Sequence, residues 1–241
     1  MTANPTVAGT MKDGRLVSTE VLLPKPKRFV RETLEMPDGY ELDWYYVDCP
    51  ASVMVVPVTA EGSLVLVRQY RHNLRSYSLE LPAGMIGEGE PPEQAARREL
   101  EEETGYTLGS QAELRDLGSY YSLPSETNKY THVYLAQPVV PSGTPVLDTE
   151  IEKYFDMSVI EMPLSVAYKS IGSAISGMET VGALMLARAV CEREQPGAAE
   201  PVSRGRRPSA EGHSRAWQAH SSSPPSSSSP KYSSAGPDSI R

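Results

Sequence analysis

Residues 83–106, AGMIGEGEPPEQAARRELEEETGY, place seven glutamates within two dozen positions. Pro91 and Pro92 suit a helix start, strong helix formers follow, and Gly105 stands where a left-handed C-terminal cap belongs, so the pattern predicts a helix over 91–104. At about 3.6 residues per turn, Glu99, Glu102 and Glu103 share an arc of roughly 100°, whereas Glu101 points the other way. Like charges at i and i+4 oppose a helix by about 0.2–0.5 kcal/mol per pair, and acids in the last turn also face the negative end of the helix dipole. A bound divalent cation removes both penalties. Carboxylates are preferred ligands of Mg²⁺ and Mn²⁺, and Mg²⁺ is commonly shared between carboxylates and substrate phosphates. Arg98, one turn before Glu102, is placed to orient that carboxylate. The competing reading is a solvated acidic face, the commoner fate of such a run.

Upstream, RLVSTEVLL, KRFVRETLEM and YELDWYYVDC read as strands, the last two joined by a Pro37-Asp38-Gly39 turn. SVMVVPVTAEGSLVLVRQYR reads as a hairpin whose near-continuous apolar runs imply burial on both faces. SYSLELPAG then leads into the acidic stretch. Downstream come strands around AELRDLGSYYS, YTHVYLAQPV and EIEKYFDM, then helices around SVAYKSI and METVGALMLARAV. Strands mixed with a few helices indicate an α/β domain with a mixed sheet. From about Gly197 the chain is dominated by Ser, Pro, Gly and Arg, a composition that cannot offset chain entropy by burial and is expected to be disordered. The expected organisation is an N-terminal β-rich unit at 1–49, the main domain at 50–194 and a tail at 195–241.

The net charge of −8 and pI near 5.1 leave no general basic footprint for nucleic acid or an anionic membrane. An anionic substrate would need a local remedy. No run reaches the 18 or so apolar residues of a membrane span, and the first residues lack the apolar core of a signal peptide. Cys49 and Cys191 form neither a disulfide framework nor a zinc pattern; the first reads as a strand-end residue and the second as a buried helix residue. A cytoplasmic protein is expected.

Gly84, Glu90 and the run Arg98-Glu99-Leu100-Glu101-Glu102-Glu103-Thr104-Gly105-Tyr106 resemble the Nudix box: a glycine, five residues, Glu, seven residues, then Arg-Glu-aliphatic-x-Glu-Glu-x-Gly-aliphatic. Tyr106 departs from the usual aliphatic residue. Leu81-Pro82-Ala83-Gly84, preceded by Val67-Arg68-Gln69-Tyr70-Arg71, is similar to the ADP-ribose pyrophosphatase branch, as is the N-terminal β unit, which in that branch helps form a swapped homodimer. The resemblance covers roughly residues 28–190 and implies a Nudix-type α/β/α sandwich. It further implies Mg²⁺-dependent hydrolysis, with Mn²⁺ as the alternative ion, of the pyrophosphate bond of a nucleoside diphosphate sugar. For ADP-ribose the products are AMP and ribose 5-phosphate.

By motif position the resemblance makes Glu99 and Glu103 metal ligands, with Glu102 a further ligand or support and the Ala83 carbonyl a non-carboxylate ligand. Glu90 and Arg98 organise the loop and helix. Arg71 and Glu80 are candidates for substrate contact. The general base of the branch is an acid on a loop before the last helices, which here offers Asp148, Glu150 and Glu152; Glu150 is the first choice and Glu126 a second-line candidate. Pro124, nineteen residues after Gly105, lies somewhat farther downstream than the corresponding proline of ADP-ribose members. Tyr120 and Tyr121 could stack on a base, although paired strand tyrosines are more often structural. Alternatives at this stage are a Nudix hydrolase for other nucleotide sugars or dinucleoside polyphosphates, and a sensing module that binds nucleotide sugars without cleaving them.

Overall fold

The computed structural model describes residues 14–25, 27–146, 154 and 156–194. The Ser/Pro-rich tail lies outside the described residues, as do Asp148, Glu150 and Glu152. Three antiparallel strands, β1 (Arg15–Leu23), β2 (Arg28–Glu35) and β3 (Glu41–Asp48), make a separate N-terminal sheet in the order β1-β2-β3. Its β2–β3 turn works as the sequence implies: Gly39 takes φ +82° and Asp38 Oδ1 accepts the Tyr40 N–H at 3.1 Å. The sheet is tied to the rest of the fold where β3 ends. Val47 N–H donates to the Glu126 carbonyl at 2.9 Å, and Cys49 N–H to Asn128 Oδ1 at 2.8 Å.

The main sheet contains β4 (Ser52–Thr59), β5 (Ser63–Arg71), β6 (Ser76–Glu80), β7 (Ala83–Met85), β8 (Tyr106–Tyr121), β9 (Tyr130–Pro141) and β10 (Ser158–Pro163). Its order is β10-β5-β4-β9-β8, with β6 on β5 and β7 on β4; β4 and β9 run parallel and the other pairs antiparallel. The helices are α1 (Pro92–Thr104), α2 (Leu164–Lys169) and α3 (Met178–Glu194).

Every residue of β4 is buried, because helices cover both faces. Val53, Val55 and Val65 pack with Ala95, Ala96 and Leu100 of α1, while Met54, Val56, Val58, Leu64 and Leu66 pack with Ala167 of α2 and Ala183, Leu184 and Ala187 of α3. Alternate strand residues thus feed opposite layers, which is an α/β/α sandwich. Each fully buried Val or Leu contributes about 1.5–3 kcal/mol.

Three local expectations need correction. β8 begins at Tyr106, directly after the helix cap, not near Ala112. Of the strand expected around Glu150–Met157, residues 150–153 and 155 lie outside the described set; Asp156 takes φ +47°, which interrupts an extended run, and β10 starts at Ser158. Cys191 is half-buried on α3 rather than buried. Among the described residues no helix is long and apolar enough to cross a membrane.

Candidate active site

The acidic stretch folds as a strand, a loop and a helix laid against one another. β7 pairs with β4 through Ser52↔Met85, Val53↔Gly84 and Met54↔Ala83, which fixes the loop entrance against the core. Pro91 and Pro92 open α1, and their missing N–H groups remove two donors that a helix N-terminus would otherwise leave unpaired. At the other end Gly105, at φ +68°, donates its N–H to the Glu101 carbonyl at 2.8 Å. Only glycine fits here, since a Cβ would also run into the Gly143 carbonyl.

On α1 the buried stripe is Ala95, Ala96, Glu99, Leu100 and Thr104. A carboxylate therefore occupies a core position. Glu99 is 9% exposed, and its head group lies where a Cβ on residue 84 would be, so Gly84 is required by close approach rather than by backbone angle. Glu101, by contrast, faces solvent with Glu88 and Glu93.

Arg98 is the hub of the site. Its Nε donates to Glu90 Oε1 at 2.9 Å, and Nη2 donates to Glu90 Oε2 and to the Met85 carbonyl, both at 3.0 Å. Nη1 donates to Glu99 Oε1 at 2.8 Å and to Glu102 Oε2 at 2.9 Å. These bonds, led by the one from Glu90, raise the Arg98 pKa further above its already high value. Glu90 is held below the usual carboxylate range by Arg98 and then by the Gly87 N–H, which donates to Glu90 Oε2 at 2.8 Å. Glu103 Oε2 accepts the Ala83 N–H at 2.9 Å. One helix face and the loop that precedes it are thus stitched together by charge.

As placed, Glu99 and Glu102 turn to Arg98 and Glu103 turns to Ala83. Among the described residues, no three His, Cys, Asp or Glu side chains converge on a single centre. The donor set nevertheless fits a hard cation. Glu99, Glu102 and Glu103 bring three carboxylates within one helical turn beside a glycine that lets one of them approach the backbone.

Tyr106, the departure from the motif, is 9% exposed and packs with the α1 cluster. Its hydroxyl donates to Glu161 on β10, and burial together with that carboxylate pushes the phenol up to about 12. The tyrosine keeps the apolar packing and adds a cross-sheet tie.

Arg71 and Glu80 are brought together: Arg71 Nε donates to Glu80 Oε1 at 2.9 Å and its Nη2 to the other oxygen. Arg71 also lies within electrostatic reach of Glu103 and Glu179, with the Glu80 bond as the main cause of its raised pKa. Glu126 is exposed and serves through its carbonyl. Tyr120 and Tyr121 line an apolar cavity of about 440 Å³ with Met178 and Met185 of α3. Pro124 borders a separate hollow of about 300 Å³ with Trp44 and Tyr46. Glu150 lies outside the described residues; Val146, before it, donates its N–H to the Glu102 carbonyl at 2.8 Å.

A cleft of about 960 Å³ is lined by the cations Lys25, Lys27, Arg28, Arg71 and Lys129, with Asp48 and Met85 of β7 also on its wall. Sequence reasoning named only Arg71 here. Lys129 bonds Glu179 of α3 at 2.7 and 3.0 Å. Burial works to raise the Glu179 pKa, but Lys129 and the Ser122 hydroxyl outweigh it and hold the carboxyl below its ordinary value. The Lys25-Pro26-Lys27-Arg28 run was the available signal: a local basic cluster in an acidic chain.

A model described as NUDIX domain matches residues 50–172. The chain is 36% identical to an ADP-ribose pyrophosphatase of Bacillus subtilis (strain 168) over 144 residues, 59% of this chain and 74% of that protein. It is 40% identical to the ADP-sugar pyrophosphatase of Mus musculus over 104 residues, 38% of this chain and 48% of the mouse protein. A solved structure of an ADP compounds hydrolase superposes with a TM-score of 0.65 at 22% identity, covering 80% of this chain and all of the other, a likeness of fold.

Proposed function

The chain belongs to the NUDIX family and is a pyrophosphohydrolase of that family, and from this premise we propose that it hydrolyses the pyrophosphate bond of ADP-ribose to give AMP and ribose 5-phosphate with Mg²⁺. The observation that carries the reading is the complete acidic network of α1 lying beside a cation-lined cleft. The substrate choice rests on the names of the Bacillus subtilis and Mus musculus relatives.

Glu99, Glu102 and Glu103 would hold the metal, with the Ala83 carbonyl as a further ligand. Bound there, Mg²⁺ supplies charge neutralisation on the diphosphate and lowers the pKa of an attacking water. The chain's own residues do the rest. Arg98 fixes the rotamers of Glu99 and Glu102, and Glu90 fixes Arg98 in turn. Arg71, braced by Glu80, and Lys129, braced by Glu179, present positive charge to the diphosphate with little freedom left to lose. We assign the proton-abstracting role to Glu150, tethered four residues beyond the bond between Val146 and the Glu102 carbonyl.

The homodimer belongs to the same proposal. β1 is exposed along its whole length, with Leu16, Val17, Val21, Leu22 and Leu23 among the uncovered residues, and a second copy would cover them. A cytoplasmic setting is proposed with it.

A panel of ADP-ribose, ADP-glucose, GDP-mannose and dinucleoside polyphosphates, measured by phosphatase-coupled release with Mg²⁺ or Mn²⁺, tests the substrate. Highest kcat/KM on ADP-ribose is expected; preference for another member reassigns it. Tight binding of the panel without cleavage would instead favour a sensing module.

A further inference from the structure

The cation-lined cleft holds more positive charge than a neutral sugar end requires. Of its five cations, Arg28 is paired with Asp48, Arg71 with Glu80 and Lys129 with Glu179. Lys25 and Lys27 have no carboxylate partner among the described residues, and both line the same space as Arg71 and Met85. They sit in the turn between β1 and β2, exposed, in a chain whose net charge is −8. Pro24 precedes them on the same cleft wall, and its fixed φ reduces the freedom lost when the turn grips a ligand.

A diphosphate joining two sugars carries a single negative charge per phosphorus, and a metal held by α1 would neutralise much of it. A phosphate monoester adds about −1.5 to −2 charge at pH 7 and presents three acceptor oxygens. Two unpaired ammonium groups on one short turn match that charge, each with three rotatable donors. We infer that the Lys25/Lys27 turn binds a phosphate monoester that the substrate carries in addition to its diphosphate. The inference rests on the reading of the protein as a nucleoside-diphosphate-sugar hydrolase and narrows its substrate class to phosphorylated members. The monoester could stand on the adenosine ribose or on the terminal ribose, and the chemistry of recognition is the same.

Kinetics of the full chain on ADP-ribose, on ADP-ribose phosphorylated at the adenosine ribose and on ADP-ribose phosphorylated at the terminal ribose separate these sources. The wild type should favour one phosphorylated compound by about tenfold in kcat/KM, mostly through KM, and the advantage should shrink as salt is raised. K25Q/K27Q should abolish the preference and K25R/K27R should keep it. Equal kcat/KM for all three compounds, or a preference that survives K25Q/K27Q, overturns the inference. Calorimetric titration of the same compounds into Glu103→Gln protein keeps the two readings apart. Hydrolysis of ADP-ribose with no phosphate preference in either assay refutes the turn alone. Tighter, Lys-dependent binding of a phosphorylated compound by a chain that cleaves none of the three refutes the hydrolase reading and leaves the turn standing.

Discussion

The acidic loop and helix at 84–106 and the N-terminal sheet use the same side chains to different ends. In the first, Arg98 is about a third exposed and holds three carboxylates, of which Glu90 and Glu99 are nearly covered. In the second, Arg15–Glu35 and Arg31–Glu20 are cross-strand pairs with side chains 39–67% exposed. The first network is shielded, shares one donor and locks rotamers; the second is screened by water, where ion pairs contribute about 0–1 kcal/mol. The apolar residues follow the same order. α1 buries its alanines and Leu100, while β1 leaves its leucines and valines uncovered. Charge is thus a positioning device at the site, whereas in the N-terminal sheet the uncovered apolar residues of β1 are what the proposed second copy would cover.

The comparison breaks most visibly at the carboxylates. Glu99→Gln or Glu103→Gln should lower kcat by about 10²–10³-fold with the circular dichroism spectrum unchanged, because each removes a charge that the proposed metal site would need and little bulk. Near-full activity in either variant would remove the metal assignment. Gly84→Ala should cost about tenfold to a hundredfold in kcat, since the new methyl displaces the Glu99 carboxylate. Arg98→Met should destabilise the fold by about 2 kcal/mol in urea titration. That lies below the 3–5 kcal/mol of a fully buried broken pair because Arg98 is partly solvated. Added Mg²⁺ should recover part of the loss.

A pH titration sharpens the same contrast. The Glu90 carboxyl is lowered in the folded state by Arg98 and the Gly87 N–H, so its contribution is present above the unfolded value near 4.5 and is lost as pH falls through the lower folded value. Melting temperature should therefore decline from about pH 4.5 downward in the wild type and more shallowly in Glu90→Gln. Smallest of all, Arg15→Ala or Arg31→Ala should leave the melting temperature almost unchanged. A larger loss there would mean the N-terminal sheet is not solvated as placed.

Much of the fold was legible because periodicity and turn chemistry are local. The N-terminal strands, the β4–β5 hairpin and α1 follow directly from β-rich and near-continuous apolar runs, Gly/Pro placement and capping. The start of β10 was not legible, because it depends on a left-handed Asp156 and on pairing with β5, a partner far away in sequence. The acids of the site were readable from spacing on one helix face. The bonds that orient them were less so: Glu99 resting on Gly84 and Glu103 on the Ala83 N–H arise from contact between loop and helix. Lys129, in the loop before β9, and Glu179, on α3 fifty residues later, left no local pattern to read.

Release of AMP from ADP-ribose by the wild-type chain, with Mg²⁺ and then with excess chelator, beside Glu103→Gln, tests the central claim most directly. Metal-dependent AMP release that Glu103→Gln largely abolishes is the predicted result. Release that persists in chelator, or in Glu103→Gln at the wild-type rate, would contradict the assignment of the acidic helix as the catalytic metal site.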